Sequence, residues 1–165
     1  MRYVALLRAI ANVSMAPFRE AMEAMGFGAV ESLGMSGNLL FEAGDADVAA
    51  MEARIGDRFR TTAIVRSRIA LKRGAGQNPF GRRDGACVLF LAKAPAVARR
   101  RAFEAIGFED PSPVLVGRTV FFVHPTRLVG KRSPFDFERA LDLRGTARSA
   151  RIVEQLVERL GRAGQ

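Results

Sequence analysis

The chain is poor in the residues that anchor most recognisable chemistry: one cysteine, one histidine, one tyrosine and no tryptophan among 165 residues. A lone cysteine, Cys87, excludes an intrachain disulfide, and a lone histidine, His124, leaves too few ligands for a Cys/His zinc cage. The one Cys/His pair that can be drawn for nucleophilic catalysis is Cys87 with His124. Long apolar runs are also lacking. No stretch approaches the roughly 18 uninterrupted apolar residues of a membrane span. The run Tyr3 to Leu7 is cut by Arg8 before it reaches the length of a signal-peptide core. A cytoplasmic protein that does not enter membranes, a monomer or a homodimer, is the expectation. No phosphate loop, dinucleotide fingerprint or metal-ligand spacing occurs, so no cofactor and no metal are expected.

Negative charge is scarce in one region. Residues 1–59 hold five arginines against eight acids, a net charge of −3, while residues 60–101 hold eleven basic residues against Asp84 alone, net +10. Residues 102–165 add +2 and complete the formal +9. Such an excess attracts polyanions weakly at low salt whatever the function. Since 23 of the 26 basic residues are arginine, the excess is explained by codon bias as well as by phosphate recognition.

What is present is the composition of a folded domain, 48% apolar and 26% charged. Tyr3 to Leu7 reads as a strand buried on both faces. Ser14 is placed to cap a helix carrying Phe18, Ala21, Met22 and Met25 on one face, closed by Gly26. Strands at 29–33 and 38–42 flank Gly34-Met35-Ser36-Gly37. Asp45 can cap a second helix through Val48, Met51, Ile55 and Phe59, before a β-branched strand at 61–65. Residues 67–85 form a basic, glycine-rich connector with room for one short helix. The order then restarts: a strand at 86–91, a helix from Pro95 to Ile106, and strands at 114–116 and 119–123 joined by Gly117-Arg118. A short helix follows, started by Ser133-Pro134 and running from Phe135 to Leu141, with a brief strand at 146–148. The terminal helix carries Ile152, Val153, Leu156, Val157 and Leu160 on one stripe.

Two passes of βαββαβ predict an α+β fold of duplicated ferredoxin-like halves with antiparallel sheets plus a C-terminal helix. The halves are expected at 1–66 and 86–165, the second including the terminal helix. In the second half's first strand Val88 and Phe90 on one side and Cys87, Leu89 and Leu91 on the other are all apolar, so both sheet faces must be covered.

Tyr3-Val4-Ala5-Leu6-Leu7-Arg8, then Met15-Ala16, Met25-Gly26-Phe27, Ser36-Gly37-Asn38 and Phe41, resembles the opening half of the domain of unknown function family numbered 1697. Ile64-Val65-Arg66-Ser67 and Asn78-Pro79-Phe80 follow in the family's order, and the resemblance runs over nearly the whole chain. It implies the duplicated ferredoxin-like fold and brings no reaction. The chain departs from the family pattern twice. Ala9-Ile10-Ala11-Asn12-Val13 replaces a longer glycine-rich loop, and Arg148-Ser149-Ala150-Arg151 stands where the family carries an Arg-Asn-Trp-Asn stretch.

Three readings of function remain. The first is a non-catalytic binding or interaction module. The second is a non-specific anion or nucleic-acid binder using Arg66, Arg68, Lys72, Arg73, Arg82 and Arg83. The third is an unrecognised enzyme with a site near the Ser36-Gly37-Asn38 turn, where backbone N–H groups, two polar side chains and Arg8 could meet a ligand. That turn has a purely structural alternative, in which serine and asparagine bond their own backbone. Cys87 lies in an apolar strand where a thiol is inert, and His124 lacks an orienting acid. Glu109, Asp110, Asp136 and Glu138 fall at loop and first-turn positions that suit solvent and helix N-termini. Phe41, Phe90, Phe121 and Phe122 lack the spacing of an RNA-stacking platform and serve equally as core.

Overall fold

The computed structural model describes residues 1–44, 47–124 and 136–162. By internal contacts the chain divides into two compact units, one comprising Met1–Arg73 with the chain from Glu154 onward, the other Gly74–Val153.

The first unit contains β1 (Arg2–Leu7), α1 (Ala16–Ala24), β2 (Gly28–Ser32), β3 (Asn38–Glu42), α2 (Val48–Phe59) and β4 (Ala63–Ser67), and α3 (Arg68–Gly76) begins in it. Its four strands pair in the order β2-β3-β1-β4, with β1 antiparallel to both neighbours. Side chains alternate along a strand, so Tyr3, Ala5 and Leu7 share one face with Leu39, Phe41, Ala63 and Val65. There Met22 from α1 and Met51 and Ile55 from α2 complete a buried core. Phe41 is the hub, 5.7 Å from the Tyr3 ring and 4.7 Å from that of Phe27. The opposite face carries Arg2, Val4, Leu6, Leu40 and Ile64, all buried.

The second unit repeats this topology with β5 (Ala86–Leu91), α4 (Val97–Glu104), β6 (Val114–Val116), β7 (Thr119–Val123), α5 (Phe137–Leu141) and β8 (Gly145–Ser149), in the sheet order β6-β7-β5-β8. Its core joins Leu89, Leu91, Val120 and Phe122 to Phe103 and Phe137, the last of which packs 5.0 Å from the Phe122 ring. These are the two four-stranded antiparallel sheets with helices that the sequence pattern predicts.

The sequence pattern places the terminal helix α6 (Ala150–Arg162) with the second half, whereas from Glu154 onward it groups with the first unit. Polar bonds that no periodicity reveals hold it there. Arg2 Nη1 donates to the Arg159 carbonyl at 2.9 Å and Arg2 Nη2 to Glu31 Oε1 at 3.0 Å, while Arg159 lies 3.5 Å from the same carboxylate. Leu156 and Leu160 are fully buried.

Local corrections concern helix starts. α1 is preceded by Met15, which makes no side-chain cap bond, with Pro17 in the first turn. The Ser14 hydroxyl reaches only the Ala16 N–H, at 3.4 Å. α2 is capped by Asp47, whose carboxylate accepts from the Ala49 N–H at 3.0 Å; Asp45 lies outside the described residues. α5 starts at Phe137 behind an Asp136 cap, and Ser133, Pro134 and Phe135 lie outside the described residues. α4 runs from Val97 to Glu104, shorter than the predicted 95–106, behind Ala96, which makes no side-chain cap bond.

Candidate functional site

The C-terminal end of β1 gathers three connections: the β1–α1 loop, the β2–β3 turn and the α2–β4 loop. The Leu7 N–H donates to the Gly37 carbonyl at 2.8 Å, the Arg8 N–H to the Thr62 carbonyl at 3.0 Å, and the Thr61 hydroxyl to the Arg8 carbonyl at 2.7 Å. Arg8, Ser36, Gly37 and Asn38, separated by 28 to 30 positions in the sequence, are thus brought to one end of one sheet.

Their roles within it differ. Asn38 is 1% exposed; its Nδ2 donates to the Leu33 carbonyl at 3.0 Å, and the Leu33 N–H donates to the Asn38 carbonyl at 3.1 Å. The amide therefore clamps the turn. Gly37 has φ +73°, and a Cβ there would meet Leu7 Cβ at 2.9 Å and Ile10 Cβ at 3.0 Å. Only glycine combines that backbone with that approach. Ser36 is exposed at the turn's crest beside Met35, which is 55% exposed. Across from them the β1–α1 loop exposes Ala9, Ala11 and Val13, the last by 41%. Ala9 and Asn12 hold left-handed φ values of 58° and 56°, a conformation that asparagine adopts readily and that is unfavourable for alanine.

Sequence reasoning passed over Val13, Met35 and Arg60 at this end. A single exposed apolar residue carries no signal in a linear pattern, and Arg60 emerges only from its place as the left-handed cap of α2, beside Thr61.

The cations of the arginine tract differ in what engages them. Arg66 Nη1 lies 3.5 Å from Glu52 Oε1 and donates to its own neighbour's carbonyl, that of Val65, at 3.0 Å. Arg68 lies against the last turn of α6, 3.4 Å from where a Cβ on Gly161 would stand. There a cation complements the helix C-terminus. Lys72 and Arg73 are exposed on α3, while Arg82 and Arg83 are exposed in the second unit. Phe41, Phe90, Phe121 and Phe122 are all buried, none more than 8% exposed, so none offers a base-stacking surface.

Burial pushes the Cys87 thiol up, and a backbone hydrogen bond with His124 offsets this only in part. A thiol so held is a poor nucleophile. Arg148, 8% exposed, donates to Thr146 Oγ1 at 2.6 Å and to the Ala147 carbonyl at 2.8 Å. Burial pulls it down to about 10, which leaves it cationic at neutral pH. Among the described residues no group of three or more His, Cys, Asp or Glu side chains is arranged to hold a metal ion. No helix of the described residues is long and apolar enough to cross a membrane.

The fold defines an α+β protein of two ferredoxin-like halves with an additional C-terminal helix. The chain belongs to the family described as protein of unknown function DUF1697, whose model matches residues 1–121. The match stops before the Arg148-Ser149-Ala150-Arg151 departure and is shorter than the nearly whole-chain resemblance read from the sequence. Among solved structures, the conserved bacterial protein SP0830 from Streptococcus pneumoniae is similar over 98% of both chains, with a TM-score of 0.72 and 20% identity, a likeness of fold. No curated protein matches the chain.

Proposed function

We propose that the chain is a non-catalytic interaction module of the cytoplasm whose contact surface is the end of the first sheet, built from the β1–α1 loop and the β2–β3 turn. One observation carries this reading. The turn's amide is directed inward, with Asn38 clamping Leu33 and Gly37 wedged against Leu7 and Ile10, while Met35 and Val13 are held out to solvent. A catalytic site needs polar groups that converge on a reacting atom; here Asn38 faces its own backbone. Arg8 and Ser36 then serve as polar contacts at the rim rather than as chemical groups.

The anion-binding alternative is weakened by the engagement of Arg66 with Glu52 and of Arg68 with the end of α6. The test is a native mass spectrum of protein purified from its own host, with Met35→Glu as control. A polypeptide retained by the native chain and lost from the variant supports the module. A retained small metabolite instead supports an enzyme, and retained nucleic acid supports the arginine tract.

A further inference from the structure

We propose that this end of the first sheet docks an acidic peptide segment carrying a large apolar side chain, an inference that rests on the interaction-module reading and names its partner. Three features define the partner. The first is apolar exposure. Of the large hydrophobic residues exposed among the described residues, Val13 and Met35 lie in two loops that touch, since Gly37 packs against Ile10. Ala9 and Ala11 are exposed beside them, and Ile10 is half-buried. Covering such side chains is favourable at roughly 25 cal/mol per Å², and a partner gains it only with apolar atoms of its own.

The second is charge. Arg60, the left-handed cap of α2, is exposed here, and the three connections at this end, residues 8–15, 33–38 and 60–62, contain no aspartate or glutamate. The complementary partner is anionic, and such charges set orientation and association rate more than affinity. The third is shape held in advance. The turn is closed by Leu7 and Asn38, and the opposing loop holds a left-handed alanine, Ala9. Strain of this kind persists where surrounding structure enforces it and concentrates at binding surfaces. A surface so fixed loses little entropy on binding.

Part of this combination recurs in the second half at the corresponding place, although Asp142, the left-handed cap of α5, stands there where the first half has Arg60. After β5, Lys93, Ala94 and Ala96 are exposed and Val97 is 65% exposed. The backbone tie of Arg8 to Thr62 is repeated between Ala92 and Arg144. Arg118 occupies the position matching Gly37, its Nε donating to the Leu91 carbonyl at 3.4 Å and its Nη2 to that of Ala92. A nucleic acid fits these features less well. It would satisfy the cations and leave Val13 and Met35 uncovered, and the buried phenylalanines provide no stacking platform.

The test is fluorescence anisotropy of the full chain at about 0.15 M salt. The probe is a labelled peptide alternating Asp or Glu with Leu and Phe; its rivals are the same peptide with Lys for the acids, the same with Ser for Leu and Phe, and a single-stranded RNA of matching length. The acidic apolar peptide is expected to bind more tightly than all three. Val13→Ser, Met35→Ser and Arg60→Glu should each weaken it by roughly five- to tenfold, and Ile69→Ser, exposed on α3, should leave it unchanged. Equal binding of the lysine peptide that still depends on Met35 overturns the acidic partner and leaves the module standing. Tighter binding of RNA, or no dependence of any ligand on Val13 and Met35, overturns both.

Discussion

Gly37 and Gly34 sit three residues apart in one turn and separate two physical effects that a single substitution would confound. Both have positive φ, +73° and +66°, but a Cβ on Gly34 meets nothing within 4 Å, whereas one on Gly37 meets Leu7 Cβ at 2.9 Å, Ile10 Cβ at 3.0 Å and the Leu7 carbonyl at 3.1 Å. Alanine at either position bears the left-handed penalty of roughly 1–2 kcal/mol. At Gly37 the new methyl must also displace β1, a central strand buried along its whole length, and overpacking of this kind adds about 1–3 kcal/mol. Gly37→Ala should therefore destabilise by roughly 2–5 kcal/mol and Gly34→Ala by no more than about 2. For a chain of this size that corresponds to a melting temperature lowered by roughly 4–20 °C against at most about 8 °C. Circular dichroism melts of the two variants beside the parent measure the difference. If Gly37→Ala melts with Gly34→Ala, the close approach is relieved without cost, and the account of the turn as a rigid clamp is wrong.

Further outcomes follow from single contacts. Glu52 accepts from the Val65 N–H at 2.9 Å and pairs with Arg66. Glu52→Ala should therefore cost about 1–3 kcal/mol by leaving an edge-strand donor unmet, and Glu52→Gln less than half as much; equal melts for the two would refute the assignment. Removing the chain after Val153 takes away Leu156 and Leu160, both fully buried, worth roughly 3–6 kcal/mol together, so an unchanged melt would show that α6 does not support the first unit. Because burial raises the Cys87 pKa, its thiolate should form only above the pH at which an ordinary thiol ionises. Iodoacetamide should then alkylate the native chain at pH 8 more slowly than a cysteine peptide, and equal rates would contradict the burial.

Wherever hydrophobic spacing decides structure, the sequence is explicit. β3, α2, β5, β6 and β7 occupy the positions that periodicity indicates, because a strand such as Ala86–Leu91 has few alternatives once both of its faces are apolar. Helix starts are less legible. Ser14 and Asp45 satisfy the residue preferences of a cap, but which nearby side chain caps depends on the entering backbone, and at α2 it is Asp47. The docking of α6 was hidden for a similar reason. Its apolar stripe says that something covers it, while its partners Arg2 and Glu31 are more than 120 residues away. At the candidate site the types of residue were legible and their direction was not. An asparagine after Ser-Gly suits a ligand and a turn equally, and only the path of Leu33 shows where the Asn38 amide points.

The charge excess acquires an architectural component once the halves are compared. β4 ends in Arg66-Ser67 and β8 in Arg148-Ser149. Arg66 stands opposite Val4, the third residue of β1, as Arg148 stands opposite Val88, the third of β5. Each serine hydroxyl accepts from the N–H three residues on, Ala70 at 3.2 Å and Ile152 at 3.3 Å, and so caps the helix that follows. Each arginine donates to the carbonyl just before it, Val65 or Ala147. An Arg-Ser pair therefore turns an edge strand into a helix twice in this chain. The second occurrence lies beyond the residues matched by the family model, so the corner does not depend on the family landmark Ile64-Val65-Arg66-Ser67. It is a repeated solution to one geometric problem. Arg66 then belongs with the scaffold, and a polyanion approaching the tract at physiological salt meets mainly Lys72 and Arg73 in the first unit and Arg82 and Arg83 in the second.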